Sequence, residues 1–396
     1  MGWQSGGEDC GCVATEVVDV KTGAKIMKVI ISCCGWFHAR HAALAAYKHG
    51  CLERFVTTNV YGSQVPEAFT KRIRFIETLE WAGNQIPLLR DMISFNLVKK
   101  GLYDIWVSRY VGDCDIFHTF SSFQPICFAK ARGKGAITIL DWGAAHPVVR
   151  KELLGEEYEK CGVEKTPDSI ERQLQEFENV DYIFVASQFA YNGFVQNGLN
   201  PNKLFKIPYG ANLGLFKPIA KQDDIFRVIF VGGLRIRKGV HYLLEAVDQL
   251  NLPNFELLLV GRCREGIKPF LERYNNYKHV DGVPHTELYK WYSNSSVFVL
   301  PSLCDGFGMV VPEAMACGLP VIVTTNTGAS DIVRDGKDGF VIPIRDVEVL
   351  QDKILFFYKN EDARVEMGRN AREHVQQFTW ERYGQRLIQH YHEVLS

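Results

Sequence analysis

One segment, residues 297–323, constrains the fold most because it joins a buried strand, a glycine loop, a short helix and a second strand. Val297–Leu300 is short and wholly apolar, which is typical of a parallel strand buried on both faces. Pro312 suits the first turn of a helix, and Gly318 followed by Pro320 ends that helix. The segment therefore predicts an α/β unit whose glycine loop can wrap a ligand.

The polar residues of this segment indicate the kind of ligand. Glu313 lies in the first turn of the helix, where free N–H groups and the positive dipole end attract phosphate. Glu313 can also hydrogen-bond sugar hydroxyls, which suggests a nucleotide or a nucleotide sugar. Simple helix capping is the alternative, but Asp305 and the loop 306–308 beside Glu313 favour a ligand site.

Each half of the chain opens with a strand, a glycine-containing turn and a helix, at 28–46 and again at 226–250. Further strands are predicted at 116–120, 136–140 and 181–185. A chain of 396 residues is natural for two domains, and its 46% hydrophobic residues can supply two cores. The sequence thus predicts two Rossmann-like α/β domains with mostly parallel sheets.

The domain boundaries follow from the turn residues that cluster at 208–218, where we expect the hinge. We expect an N-terminal domain at 27–215, a C-terminal domain at 216–375, and a last helix at 376–396 that packs back on the N-terminal domain. Residues 1–26 are glycine-rich and irregular, and we expect them to be a disordered tail.

Charge and composition exclude some partners. The 45 basic and 46 acidic residues give a formal charge of -1, so no global field recruits nucleic acid. The 11 cysteines show no paired CxxC spacing, which indicates reduced thiols in the cytoplasm. The chain has no apolar run of the roughly 18 residues that a spanning helix needs, and no signal-type stretch at its amino terminus. We expect a cytoplasmic protein, either soluble or peripheral to the inner face of the membrane.

The segment 69–110 bears on the membrane question because it mixes basic, aromatic and leucine residues in helical patterns. Such a face could contact a membrane or a lipid-linked acceptor. Stripes of this kind more often pack on a domain's own core, and interspersed acidic residues weaken the basic signal. Peripheral membrane contact is therefore the alternative to core packing.

A basic loop follows the first strand of the second half. It contains Arg235, Arg237 and Lys238 at the carboxyl end of a strand, where α/β sheets bind their ligands. Arginine can bind two oxygens of a diphosphate, and lysine acts as a point charge. A solvated surface loop is the alternative, but the location favours diphosphate binding.

Three segments in this order, 232–239, 301–323 and 378–382, resemble motifs of the large retaining family four of glycosyltransferases. The likeness extends from about residue 27 to the end of the chain. It implies the GT-B fold, in which two Rossmann-like domains face each other across a cleft. It also implies transfer of a sugar, with retained configuration, from a nucleoside diphosphate sugar to a hydroxyl acceptor, with no separate cofactor.

The resemblance also implies roles for single residues. The family's two glutamates separated by seven residues fall on Asp305 and Glu313, so the first position departs from the pattern. Aspartate is one methylene shorter, which leaves the donor preference open. Glu313 matches the ribose-binding glutamate, and Phe307, Gly308 and Met309 match the segment whose amides face the donor.

The basic loop contains a second departure. Lys238 matches the family's diphosphate lysine, and Gly232 matches the glycine that follows the strand. The arginine that usually comes next is here Gly233. We expect Arg237, or failing that Arg235, to supply the missing charge.

Three histidines of the first half are candidates for the acceptor side. His146 follows the strand at 137–140, where the family keeps a histidine that faces the reacting sugar, so the resemblance makes it the leading catalytic histidine. His38 resembles the family's loop near the acceptor, and His118 lies on an apolar strand where a core role is equally plausible. The predicted catalytic set is His146, Asp305, Arg237 and Lys238, with His38 and His118 on the acceptor side.

Two patterns superficially suggest a metal. His38 and His41 are three apart but lack further ligands, and 113–115 has an Asp-x-Asp pattern in the wrong half of the chain. We therefore predict no metal ion. The neighbouring cations and the start of the Glu313 helix would instead stabilise the charge that grows on the departing diphosphate.

Two other functions stay open. The departures at Asp305 and Gly233 fit a non-catalytic donor-binding partner of another glycosyltransferase, and a nucleotide-sugar epimerase could use the same fold. A dinucleotide dehydrogenase is disfavoured, because neither half has a complete G-x-G-x-x-G with an acid about 20 residues further on.

Overall fold

The computed structural model describes residues 27–35, 38–60, 62–76, 78, 93–120, 124–163, 170–264 and 266–396. The tail expected at 1–26 and part of the segment 69–110 lie outside the described residues. In the part of the chain that is described, two parallel β-sheets are each flanked by helices. The prediction of two Rossmann-like domains is confirmed.

The first sheet has the strand order β3-β2-β1-β4-β5-β6-β7, and all its neighbouring strands are parallel. Its strands are β1 (Val29–Cys33), β2 (Leu52–Thr57), β3 (Thr70–Arg72), β4 (Ile116–Phe120), β5 (Ile137–Trp142), β6 (Tyr182–Val185) and β7 (Leu204–Lys206). The helices that accompany it are α1 (Ala39–Lys48), α2 (Ile93–Ser108), α3 (Pro125–Gly133), α4 (Pro147–Lys160), α5 (Ile170–Glu178) and α6 (Gln188–Gln196).

The second sheet has the order β10-β9-β8-β11-β12-β13 and is also parallel throughout. Its strands are β8 (Phe226–Val231), β9 (Phe255–Val260), β10 (Tyr277–Val280), β11 (Val297–Leu300), β12 (Val321–Thr324) and β13 (Gly339–Ile342). Its helices are α7 (Val240–Asp248), α8 (Lys268–Arg273), α9 (Leu288–Ser293), α10 (Val310–Ala316), α11 (Val347–Lys359) and α12 (Glu361–His374), and the chain ends with α13 (Trp380–Leu395).

The apolar runs form strands because helices cover both faces of each sheet, so polar side chains there would lose their hydration. Every residue of β1, β8 and β11 is buried. The strand order of each sheet reverses at one place, between β1 and β4 in the first and between β8 and β11 in the second. Ligands bind beyond the carboxyl ends of the strands at such switch points.

Helix α13 follows the second sheet in the chain but packs on the first. A Cβ built on Gly384 would lie 2.7 Å from the Ala45 Cβ of α1, so the two helices are in close contact. The Tyr391 hydroxyl lies 2.6 Å from His118 Nδ1 on β4, inside the first half. Among the described helices, none is both long enough and apolar enough to cross a bilayer.

Candidate functional site

A cavity of about 1650 Å³, here called the cleft, opens where the two switch points meet. Its walls come from both halves of the chain, as expected for a site assembled between two sheets. The residues of the second half that line it include Gly232, Gly233, Lys238, His285, Asp305, Phe307, Gly308, Met309 and Glu313. The first half contributes, among others, His38, Arg40, Lys100, Gly143, Arg150, Glu176 and Tyr209.

Lys238 and Asp305 form an ion pair at the wall of the cleft. Arg237 Nη1 lies 3.7 Å from Asp305 Oδ1 and donates a hydrogen bond of 2.5 Å to the Cys304 carbonyl, but Arg237 does not line the cleft. Burial raises the pKa of Asp305, yet the charges of Lys238 and Arg237 outweigh burial and hold that pKa below its usual range. Asp305 is therefore a carboxylate that fixes two cationic side chains.

Gly233 leaves space that a neighbouring arginine occupies. A Cβ built on Gly233 would lie 3.2 Å from Arg235 Nη2 and 3.3 Å from Arg235 Nε. We expected Arg237 before Arg235 to supply the charge missing at this position. Arg235 is the closer of the two to Gly233, because Arg237, in the 3-10 turn Ile236–Lys238, reaches the Cys304 carbonyl instead. Neither arginine is among the residues that line the cleft.

The loop after β11 is held in a fixed shape. The Asp305 amide donates to the Asn326 carbonyl at 2.9 Å, and the Asp305 carboxylate accepts the Phe307 amide. Gly308 has a φ of +88°, a conformation that side-chain-bearing residues rarely adopt. A Cβ on Gly306 would lie 2.3 Å from the Gly143 carbonyl oxygen of the first half. The two halves thus touch backbone to backbone at Gly306.

Glu313 is buried on α10 and bonded through both carboxylate oxygens. Its Oε1 lies 2.8 Å from His285 Nε2, and its Oε2 accepts from the Tyr292 hydroxyl at 3.4 Å. The hydrogen bond to Glu313 raises the pKa of His285, whose side chain is 59% exposed at the cleft. His285 was not among the predicted site residues, although it lies in the loop after the carboxyl end of β10, where α/β sheets bind ligands.

A histidine–aspartate pair lies on the opposite wall. His38 lines the cleft, and its Nε2 lies 3.2 Å from Asp141 Oδ1 on β5. The Tyr209 hydroxyl donates to the same oxygen at 2.9 Å, and the Tyr383 hydroxyl of α13 lies 3.5 Å from Oδ2. Asp141 was also missed, although an acidic residue at the carboxyl end of an apolar strand is an unusual and informative feature.

His146 and His118 lie elsewhere. His146 is 3% exposed, packs on Phe177 and Phe194, and does not line the cleft. His118 is fully buried on β4, as a core histidine would be. Burial lowers the pKa of each to about 4, so both are neutral side chains of the interior. The expectations that His146 faces the sugar and that His118 lies on the acceptor side are not met by this geometry, because helix α4 begins directly after His146 and turns it into the core.

Among the described residues, one group has the spacing of a metal site: Glu157, Cys161 and His241. None of the three lines the cleft. The Glu157 oxygens already accept hydrogen bonds, from Tyr242 at 2.8 Å and from Arg345 Nε at 2.8 Å, and Oε1 also lies 2.9 Å from His241 Nε2. These contacts make the group an ion-pair cluster that joins α4 to the second half.

Comparison with known proteins agrees with this architecture. The family model described as "Glycosyl transferases group 1" matches residues 215–374. The structure of HepE from Anabaena in complex with UDP and glucose superposes with a TM-score of 0.69 at 15% identity, covering 93% of this chain and 100% of that one. The fold is therefore GT-B.

Sequence relatives extend the match beyond the second half. A D-inositol 3-phosphate glycosyltransferase from Kribbella flavida is 34% identical over 309 residues, which is 72% of each chain. An uncharacterised glycosyltransferase from Methanocaldococcus jannaschii is 31% identical over 207 residues, covering 52% of this chain and only 57% of the relative. The chain belongs to the group 1 family of glycosyl transferases.

Proposed function

We propose that this protein moves a sugar from a nucleoside diphosphate sugar to a hydroxyl acceptor, with retention of configuration and without a metal ion. One observation carries the proposal: the cleft sets Lys238, Asp305 and Glu313 of one half opposite the His38–Asp141 pair of the other. HepE, which has the same fold, binds UDP and glucose. Its complex supports a nucleotide-sugar donor here.

The donor would lie against the second sheet. Glu313, held by His285 and Tyr292, is placed to accept hydrogen bonds from ribose hydroxyls. Lys238 at the cleft wall would neutralise the diphosphate. Arg235 packs over Gly233 and does not itself line the cleft, so it would act through its charge and not through contact. Asp305 is anchored by Lys238, so its contact with the donor sugar would run through one carboxylate oxygen or a bridging water.

The transfer can proceed on one face of the sugar. The bond between the anomeric carbon and the diphosphate oxygen breaks, and a bond from the acceptor oxygen to that carbon forms. The acceptor proton passes to the departing diphosphate oxygen, so no protein nucleophile is needed. Lys238 and Arg235 would stabilise the negative charge that grows on the diphosphate.

His38 would take the part that the sequence analysis gave to His146. Asp141 holds the His38 ring at the cleft wall, in the part of the wall that the first half contributes. A ring so fixed can hydrogen-bond the donor sugar and keep its anomeric carbon close to the acceptor. Asp141 is thus a positioning residue that acts through His38.

The test is the stereochemistry of slow donor hydrolysis, followed by NMR in EDTA after a screen of UDP-, GDP- and ADP-sugars. We expect an α-linked donor to release the α-anomer first, and Lys238→Ala to slow release about 100-fold. Lys151→Ala is the matched control, because Lys151 is exposed and does not line the cleft. First release of the β-anomer, or loss of activity in EDTA, contradicts the proposal. An isomerised but uncleaved donor favours an epimerase.

A further inference from the structure

The group of Glu157, Cys161 and His241 lies outside the cleft, where α4 of the first half meets α7 of the second. We call it the α4–α7 cluster. Its carboxylate oxygen, thiol sulfur and imidazole nitrogen all lie within 4.8 Å of one another. No local sequence pattern predicts the cluster, because Glu157 and His241 are 84 positions apart. The proposed transfer does not use these three side chains.

Helix geometry places two members of the cluster on one face of α4. Cys161 follows α4 directly with helical backbone angles, and its amide donates to the Glu157 carbonyl at 3.0 Å. Side chains four residues apart on a helix are neighbours, and pairs with this spacing occur in zinc sites. His241, in the first turn of α7, meets Glu157 across the boundary between the two halves.

The hydrogen bonds of Glu157 leave one of its oxygens for a metal ion. Arg345 binds Oε2 at 2.8 Å, whereas Oε1 lies 2.9 Å from His241 Nε2 and accepts from the Tyr242 hydroxyl at 2.8 Å. An ion between Oε1 and Nε2 therefore keeps the Arg345 pair. His241 is 6% exposed, and its Nδ1 has no hydrogen-bond partner within the described residues. Because no second bond fixes the tautomer, Nε2 can offer its lone pair to a metal.

The types of ligand favour zinc. Thiolate, imidazole and carboxylate are the ligands of tetrahedral zinc, whereas magnesium and calcium prefer oxygen ligands alone. Zinc bonds of about 2.0–2.3 Å hold their ligand atoms roughly 3.3–3.8 Å apart, so shifts of about 1 Å would close the cluster on an ion. Cys161 is half-buried, so zinc and a water molecule as fourth ligand can enter from solvent on its side.

The surrounding charges fit a divalent cation. Glu156 and Glu157 both bind Arg345, at 3.3 Å and 2.8 Å, so two carboxylates share one guanidinium and the ion-paired group has a formal charge of -1. Lys160 beside the cluster is exposed, and solvent screens its charge. A zinc ion with the Cys161 thiolate adds one positive charge and makes the buried group neutral. Neutrality lowers the cost of burying these charges.

We propose that Glu157, Cys161 and His241 bind a zinc ion that joins the two halves of the chain. Three coordinate bonds form without a change of oxidation state, and the thiol proton of Cys161 passes to solvent. The ion takes no part in sugar transfer, and its binding does not depend on the proposed function. Because it would hold α4 against α7, it would slow any opening of the cleft that product release requires.

The test titrates the full-length protein, freed of metal with EDTA and dialysed, with Co²⁺, whose spectrum reports its ligands. We expect one ion per chain, with the absorption of a tetrahedral site and a sulfur-to-metal charge-transfer band, displaced by Zn²⁺ and not by Mg²⁺. Cys161→Ser should lose the charge-transfer band. His241→Gln should bind Co²⁺ at least tenfold more weakly.

Two controls keep other thiols apart from the cluster. Cys263→Ser removes an exposed thiol elsewhere, and Cys10→Ser with Cys12→Ser removes a thiol pair that lies outside the described residues. Both should keep the band, with a dissociation constant within about twofold of the wild type. Circular dichroism establishes that each variant is folded. A wild type without the sulfur band, or a band that Cys161→Ser retains, overturns the inference.

Thermal unfolding tests whether the ion joins the halves. Zn²⁺ should raise the melting temperature of the wild type by several degrees, and that of Cys161→Ser or His241→Gln by less than about one degree. An equal rise in the wild type and His241→Gln would mean that the first half alone holds the ion, against the inference.

Activity gives an independent measurement of the same site. Zn²⁺ should lower the kcat of the wild type and not that of Cys161→Ser, because only the wild type would have its halves joined. Equal inhibition of the two proteins would show that zinc acts elsewhere and would overturn the effect on opening. A protein without transferase activity in EDTA contradicts the proposed function and not the zinc site.

Discussion

One histidine of the first half lies at the cleft wall and another is enclosed by aromatic side chains. This difference decides which of the two can contact a bound sugar. His38 lies at the cleft wall with Asp141 behind it, whereas His146 is enclosed by Phe177 and Phe194. A side chain that never reaches the cleft cannot touch a sugar. We therefore propose that His38 contacts the sugar and that His146 packs the core of the first half.

Substitution of each histidine tests this assignment. We expect His38→Ala to lower kcat/KM about 100-fold, because a positioned hydrogen-bonding group is lost beside the reacting sugar. His146→Leu keeps the apolar volume of the site, and its kcat/KM should stay within about threefold of the wild type. A larger loss for His146→Leu than for His38→Ala, in variants with wild-type donor binding, contradicts the assignment.

Burial of His146 should also make the stability of the folded protein depend on pH. Its pKa is about 4 in the folded protein, below the 6.5 of a free histidine, so the unfolded chain binds the proton more tightly. Its contribution to stability is complete above pH 6.5 and is lost as the pH falls toward 4. As the pH falls from 6.5 to 4, the melting temperature of the wild type should therefore fall relative to that of His146→Leu. A constant difference would show that His146 is hydrated.

Some site residues could be predicted from local sequence patterns, and others could not. Lys238, Asp305 and Glu313 were found because they lie close to predicted strand ends and glycine turns. The pair of His38 with Asp141 joins residues 103 positions apart, and no local pattern contains that contact. His146 was chosen because the resembled family keeps a histidine after this strand, whereas Asp141, on the strand itself, was not considered. Which of two polar residues faces the cleft depends on where α4 begins.

The loop after β11 matters as an element because it carries Asp305 and also touches the first half. Gly306 has no room for a side chain, since a Cβ would lie 2.3 Å from the Gly143 carbonyl oxygen and 2.5 Å from the Ala144 Cα. Both obstacles are backbone atoms, so neither can rotate away. Substitution at Gly306 must therefore separate the two halves locally.

We expect Gly306→Ala to fold but to hold the cleft open. Closing an active site excludes water and brings the catalytic groups of both halves together. In a cleft that is held open, kcat/KM should therefore fall at least tenfold, while nucleotide binding to the second half changes little. Gly336→Ala is a control for the added methyl group, since no heavy atom lies within 4 Å of its Cβ position, although its φ of +71° adds local strain. Equal activity of Gly306→Ala and the wild type would show that this contact is not needed for turnover.

The ion-pair cluster of Glu157 joins α4 of the first half to α7 and Arg345 of the second. Burial raises the pKa of Glu157, but hydrogen bonds from His241, Tyr242 and Arg345 lower it to about 2. The folded pKa lies below the unfolded one, so this stabilisation is complete above about pH 4.5 and is lost as the pH falls toward 2.

Glu157→Gln keeps the shape of the side chain and removes its charge. We expect it to reduce the free energy of unfolding by about 2 kcal/mol at pH 7, because hydrogen bonds to a charged group are lost. The difference from the wild type should shrink as the pH falls from 4.5 to 2. Glu156→Gln is the matched control, since its side chain is 68% exposed and binds the same Arg345 at 3.3 Å. A difference that stays constant down to pH 2 would show that charge is not what joins the halves.

At the scale of the whole molecule, the parallel sheets could be predicted because buried parallel strands are uniformly apolar and short. The cleft could be predicted less directly from the sequence, because its shape depends on how the two sheets face each other. Helix α13 contributes to that arrangement: it starts after the second sheet, packs on α1 and brings Tyr383 to within 3.5 Å of Asp141. We expected a last helix at 376–396 to pack back on the N-terminal domain, but no sequence period encodes its contact with Asp141.

The central claim is that the cleft binds a nucleoside diphosphate sugar through Glu313. The most direct test is the thermal stabilisation of the wild type and Glu313→Ala by UDP-, GDP- and ADP-sugars in EDTA, because a ligand of the folded state raises the melting temperature. We predict a shift with one nucleotide that is several degrees smaller in Glu313→Ala and unchanged in Lys151→Ala. No shift with any donor, or the same shift in Glu313→Ala, would contradict the account.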